Sequence, residues 1–163
     1  MTGAPPREIA VLGLGNPLMS DEGIGIRILE ALERRADLPA GVELIDLGTG
    51  GLRLVHEAAG RRKLVLVDCA RMGESPGVMR RFTPQDVRSR KVETRYSLHE
   101  GDVLANLELA RRLGDCPDEV VLLGVEPASL APGLELTAAL AARLEDYVER
   151  VLDEIRGPGP EHA

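Results

Sequence analysis

Aromatic side chains are nearly missing from this 163-residue chain, which has no Trp, one Phe and two Tyr. Proteins that read nucleic acid by stacking bases need aromatic platforms, so that class is disfavoured. Positive charge is also in short supply. Twenty Lys and Arg stand against 27 Asp and Glu, for a formal net charge of -7, and the arginines are scattered instead of forming a basic block. Such a surface repels a phosphate backbone. No apolar run approaches the roughly 18 residues of a membrane span, and the first ten residues lack the charged start and apolar stretch of a secretory signal. Cysteine is limited to Cys69 and Cys116, which cannot build a metal knuckle and are expected as free thiols in a reducing compartment. These absences predict a soluble, cytoplasmic protein with no nucleic-acid or membrane partner. Nothing in the pattern calls for a dimer, so a monomer is expected.

What is abundant is aliphatic. The 44% hydrophobic content is almost all Leu, Val, Ile and Ala, enough for one domain with an aliphatic core. Gly and Pro mark residues 1–7 and 157–163 as tails, leaving one α/β/α domain over 8–156. Within it, Glu8–Leu14, Val42–Leu47, Lys63–Asp68 and Glu119–Val125 have the short apolar character of buried strands. Helical periodicity falls between them, over Glu22–Ala36, Leu52–Ala59, Leu98–Leu113 and from Thr137 onward. Helices between strands imply parallel pairing. The connection from Asp68 to Val78–Phe82 is too short for a crossover helix, so that strand is expected as an antiparallel edge. The fold class is α/β: a three-layer α/β/α sandwich on a mostly parallel five-stranded sheet with one antiparallel edge strand.

The most informative segment is the loop Gly13 to Gly25, between the first strand and the first helix. Ligands of open α/β sheets bind beyond the carboxyl ends of the strands, where this loop must lie. It is a poor dinucleotide fingerprint. The third glycine of Gly-x-Gly-x-x-Gly is replaced by Leu18, and Asp21 and Glu22 would face a pyrophosphate. Acids at a helix start also cap free amides, which can account for one of the pair. Asp68 ends the third strand at the same rim, where it can meet a ligand or close a turn. His99 stands in Ser97-Leu98-His99-Glu100, which has the Ser-x-x-Glu form of a capping box. The start of a helix disfavours imidazolium and so favours neutral imidazole, a metal ligand. Glu22, Asp68 and His99 together suit a borderline divalent metal such as nickel or zinc with positions left open, although their spacing is not diagnostic.

These motifs, in this order, resemble those of the hydrogenase maturation endopeptidases. The likeness runs through Gly13-Leu14-Gly15-Asn16, the acidic pair, Gly23-Ile24-Gly25, Asp46-Leu47-Gly48-Thr49-Gly50-Gly51, Asp68, His99, Gly124-Val125-Glu126-Pro127 and Leu136-Thr137, over about residues 8–155. Many members carry Asp-Asp where this chain has Asp21-Glu22. The resemblance implies an endopeptidase that removes the C-terminal extension of a nickel-iron hydrogenase large-subunit precursor. It also implies that Glu22, Asp68 and His99 bind the nickel carried by that precursor and serve catalysis, with no organic cofactor. Asp21, Asp46, Gly48, Thr49 and Gly50 are candidate substrate-binding positions, with structural uses open for each: a cap for Asp21, a turn acid for Asp46 and a turn for the glycines. One alternative is a non-catalytic nickel-recognition checkpoint protein. Another is a peptidyl-tRNA hydrolase-like esterase, which shares the Gly-Leu-Gly-Asn-Pro run but whose Thr-Arg-His-Asn segment is missing here. A cysteine hydrolase pairing Cys69 with His99 is a third.

Overall fold

The computed structural model describes residues 7–89 and 100–157. The strands are β1 (Ile9–Leu14), β2 (Val42–Gly48), β3 (Lys63–Cys69), β4 (Met79–Phe82) and β5 (Glu119–Val125). They form one sheet in the order β2-β1-β3-β5-β4. β1 pairs in parallel with β2 and β3, and β3 with β5, while β4 closes the far edge antiparallel to β5, as its short connection requires.

Alternation along the strands sorts the core into two halves. Val11, Val65, Val67, Cys69, Leu123 and Val125 face α1 (Ile24–Glu33) and α6 (Leu144–Arg156), where Ile28, Leu32, Val148, Val151 and Leu152 meet them. Ala10, Leu12, Leu14, Leu64 and Leu66 face the other way, toward Leu54 and Ala58 of α2 (Arg53–Ala58) and Val103, Leu107 and Ala110 of α4 (Glu100–Arg112). Because both faces are covered, β1 and β3 carry unbroken apolar runs, and each fully buried Leu, Ile or Val contributes about 1.5–3 kcal/mol.

Several boundaries differ from expectation. The first helix does not begin at Glu22. Ser20–Gly23 form a 3₁₀ turn, and α1 starts at Ile24 with Gly23 as its uncapped N-cap. The expected last helix is two pieces, α5 (Ala138–Ala141) and α6, separated at Ala142 and Arg143. Thr137 precedes α5 but makes no side-chain cap; its hydroxyl is taken by Asp21. The break lets the short first piece stay pinned there while α6 lies along the sheet. A helix absent from the sequence reading, α3 (Pro84–Ser89), follows β4. The capping box Ser97-Leu98-His99 lies outside the described residues, and α4 is described from Glu100.

Glycines set how closely α1 approaches the sheet. A Cβ on Gly25 would stand 2.3 Å from the Val67 carbonyl oxygen and 2.5 Å from that of Leu14, so helix and strands touch backbone to backbone. Gly15 turns the chain out of β1 at φ +130, where a Cβ would lie 1.9 Å from the Glu22 carbonyl oxygen. The loop is therefore folded tightly back on the turn that carries the acidic pair.

Candidate active site at the carboxyl ends of β1 and β3

β1 and β3 are direct neighbours, and Glu22, in the turn that follows β1, and Asp68, next to last in β3, are placed toward the same rim of the sheet. Glu22 sits in the 3₁₀ turn after β1, half-buried, and this turn packs against β3. Asp68 is the penultimate residue of β3, also half-buried, and paired in register with Gly124, whose missing side chain lets Ala70 pack close. One Asp68 oxygen accepts the backbone N–H of Cys69 at 2.7 Å. Asp68 also lines a small apolar recess with Leu14, Ala70, Phe82, Val103 and Gly124. Exclusion of water by such walls strengthens any charge interaction made there.

Strand parity decides which side each residue serves. Asp68 alternates with Cys69, which packs into the α1/α6 half of the core, so Asp68 belongs to the half that holds α4. Of α4, the part from Glu100 to Arg112 is described. His99 itself lies outside the described residues. Among the described residues, no group of three or more His, Cys, Asp or Glu could hold a metal ion. Of the other histidines, His56 is exposed on α2, and His162 lies outside the described residues.

The adjacent acids of the first loop have separate jobs. Asp21 is fully buried. Its carboxylate accepts the N–H groups of Ala128 at 2.8 Å, Ser129 at 3.1 Å and Thr137 at 2.8 Å, together with the Thr137 hydroxyl. It is a cap, as one reading of the sequence allowed, but for the segment after β5 and not for its own helix. A carboxylate so enclosed is engaged by its own chain, the structural use that the sequence left open beside substrate binding. Asp46 is exposed and accepts the Gly48 N–H at 2.7 Å, the geometry of a turn acid. Gly48 at φ +56 and Gly50 at φ +91 make the turn that follows, with Thr49 exposed between them.

Glu126 belongs to the Gly124-Val125-Glu126-Pro127 motif. It is buried just after β5, and its carboxylate accepts the Met72 N–H at 2.6 Å, holding the loop that leaves Asp68. An acid directly following an apolar strand was the only sequence signal for it.

The rim carries negative potential. Burial pushes the Cys69 thiol well above its ordinary pKa, and Asp68, Glu22 and Asp21 raise it further against a partial offset from Arg71. With Cys69 1% exposed, its thiol is a buried core group and not an accessible thiolate nucleophile. Two larger hollows flank the amino ends of β3 and β5, walled by Arg81, Arg111 and Glu119 and by Lys63, Arg150 and Glu154. Much of that charge is internally compensated, since Lys63 and Arg81 both pair with Glu154.

A family profile described as hydrogenase maturation protease (HycI) matches residues 26–154. Hydrogenase 2 maturation protease of Escherichia coli (strain K12) is 38% identical over 154 residues, covering 94% of this chain and 93% of that protein. The chain belongs to the hydrogenase maturation protease family. The solved structure of the E. coli hydrogenase maturating endopeptidase HybD agrees, with a TM-score of 0.81 at 37% identity over 93% of this chain and 94% of that one. A NiFe hydrogenase maturation protease HybD from Thermococcus kodakarensis, 24% identical, shares the fold at a TM-score of 0.72 over 88% and 96% of the two chains. Membership makes the chain a peptide hydrolase, and it disposes of the peptidyl-tRNA hydrolase alternative. No helix among the described residues is long and apolar enough to cross a membrane.

Proposed function

We propose that this protease removes the C-terminal extension of a nickel-iron hydrogenase large-subunit precursor, and that Glu22 and Asp68, with His99, recognise the nickel already seated in that precursor. The observation that carries the reading is the placement of Glu22 and Asp68 at the carboxyl ends of adjacent strands. The two carboxylates placed there favour a cation at that rim. Two carboxylates and an imidazole are donors a borderline divalent ion accepts, and three protein ligands leave positions for groups of the substrate. Nickel is thus cargo of the substrate, and no organic cofactor is invoked. A divalent ion held between the two proteins polarises a carbonyl or lowers the pKa of a bound water. The protease's own part is to fix the ion's position, and the precursor tail with it, through Glu22 and Asp68. Gly48, Thr49 and Gly50 turn the chain out of β2 with Thr49 exposed, a turn on which an extended tail can rest, with Asp46 beside it.

The test mixes purified protease with nickel-loaded or nickel-free precursor and follows precursor mass. Cleavage of the loaded form alone is expected, with loss in Glu22→Gln, Asp68→Asn and His99→Ala while their circular dichroism stays native. An intact loaded precursor after prolonged incubation would refute proteolysis and leave the checkpoint reading. Equal cleavage of both forms would refute nickel recognition.

A further inference from the structure

We infer that Asp21 is a positioning residue, which sets where Glu22 stands by anchoring its turn to the segment that follows β5. The inference rests on the reading that Glu22 meets the substrate. Every group directed at the Asp21 carboxylate is a donor: the N–H groups of Ala128, Ser129 and Thr137 and the Thr137 hydroxyl. The backbone on the near side of Glu22 is tied to the same segment. Asp21 N–H donates to Ser129 O at 3.2 Å, Ser20 N–H to Gly133 O at 2.9 Å, and Gly133 N–H returns to Leu18 O at 2.9 Å. The Ser20 hydroxyl donates to Ala131 O at 2.7 Å, and Ser20 is held at φ +52, a conformation an L residue adopts only when its surroundings impose it. On the far side Gly23 is pressed onto Pro17, where a Cβ would lie 2.6 Å from the Pro17 Cα. Glu22 is therefore carried by backbone clamped on both flanks.

The same segment reaches the other acid. Glu126 holds the loop after Asp68 through Met72, and Gly77 N–H donates to Glu126 O at 2.8 Å. The chain from Glu126 to Thr137 is thus a common reference for Glu22 and Asp68, and the span between the acids is fixed by groups that touch neither substrate nor metal.

Asp21→Asn keeps the size but turns an acceptor into a donor that faces donors. Thr137→Val removes the hydroxyl and keeps the N–H. Ile155→Val, in α6, is the control for a mild loss of stability without contact with the loop. Cleavage of nickel-loaded precursor is measured at 15 °C, well below the unfolding transition of each variant. Asp21→Asn is expected to lower kcat at least about tenfold with KM changed less than about twofold, because a displacement near 1 Å costs up to ~100-fold. Thr137→Val should fall in the same direction by less, Ile155→Val should match wild type, and Asp21→Glu should not rescue. Hydrogen exchange should quicken at residues 20–23, 128, 129 and 137 in Asp21→Asn and not in β3. Wild-type kcat in Asp21→Asn, or an equal loss in Ile155→Val, overturns the inference. If Asp21→Asn does not fold, Thr137→Val decides by the same criteria. If wild-type protease fails to cleave loaded precursor, the substrate reading falls, and unchanged exchange in the loop is then the result that overturns positioning.

Discussion

Gly25→Ala tests the tight seat of α1 on the sheet. Helix propensity alone predicts a gain of up to about 1 kcal/mol. The structure predicts the reverse. The new methyl would stand 2.3 Å from Val67 O and 2.5 Å from Leu14 O, and 3.0 Å from Leu14 N. These are backbone atoms of strands in the sheet, Leu14 closing β1 and Val67 within β3, so they cannot swing aside as a side chain would. Relief requires α1 to retreat by roughly 1 Å, carrying Ile24, Ile28 and Leu32 out of register with Val65 and Val67, and overpacking of this kind costs about 1–3 kcal/mol. Set against the propensity gain, a net loss near ~1 kcal/mol is expected, or a fall in Tm of roughly 2–4 °C for a domain of this size. Urea unfolding followed by circular dichroism, with the slope unchanged, measures it. Because the methyl sits three residues after Glu22, precursor cleavage should also drop at temperatures where the variant is fully folded. A Gly25→Ala protein as stable as wild type or more so would show that the close approach is not what requires glycine here.

Cys69→Ala should keep cleavage activity and lose about 1 kcal/mol of stability, and the native protein should resist thiol alkylation at Cys69; rapid inactivation by iodoacetamide traced to that residue would contradict a buried core thiol. Acid should weaken the fold partly through Glu154. Burial pushes its pKa up, but Arg81 and Lys63 outweigh this and hold it below the ordinary carboxylate range. With the folded value below the unfolded one, the unfolded state binds more protons, so this contribution is present above the ordinary carboxylate pKa and is lost as pH falls through the folded value. Glu154→Gln should flatten the dependence of Tm on pH below about 5, and an unchanged slope would remove Glu154 from the account.

The sheet was legible because its strands are buried on both faces. Runs such as Leu64 to Val67 need no partner information to declare themselves, and the short link before β4 dictated its antiparallel sense. The boundaries of α1 and α5 were not legible, because they depend on what Asp21 bonds to. Its partners Ala128 and Thr137 are 107 and 116 residues away in the chain, and no local pattern records contacts at that range. Thr137 has the residue type of an N-cap, yet a distant carboxylate competes successfully for its hydroxyl. The same blindness covers Glu126, whose amide partner Met72 is 54 residues distant.

The chain's own order of residues therefore determined the architecture and the family, and set Glu22 and Asp68 beside strand ends, since apolar periodicity and the positions of strand ends are local properties. Only the tertiary structure separated the acidic pair. Sequence shows neighbouring acids with equal claims on a ligand; burial and hydrogen bonding make Asp21 a saturated internal brace and leave Glu22 half-buried at the rim. The physical reason is that a carboxylate's role follows from which donors surround it, and those donors arrive from the far end of the chain.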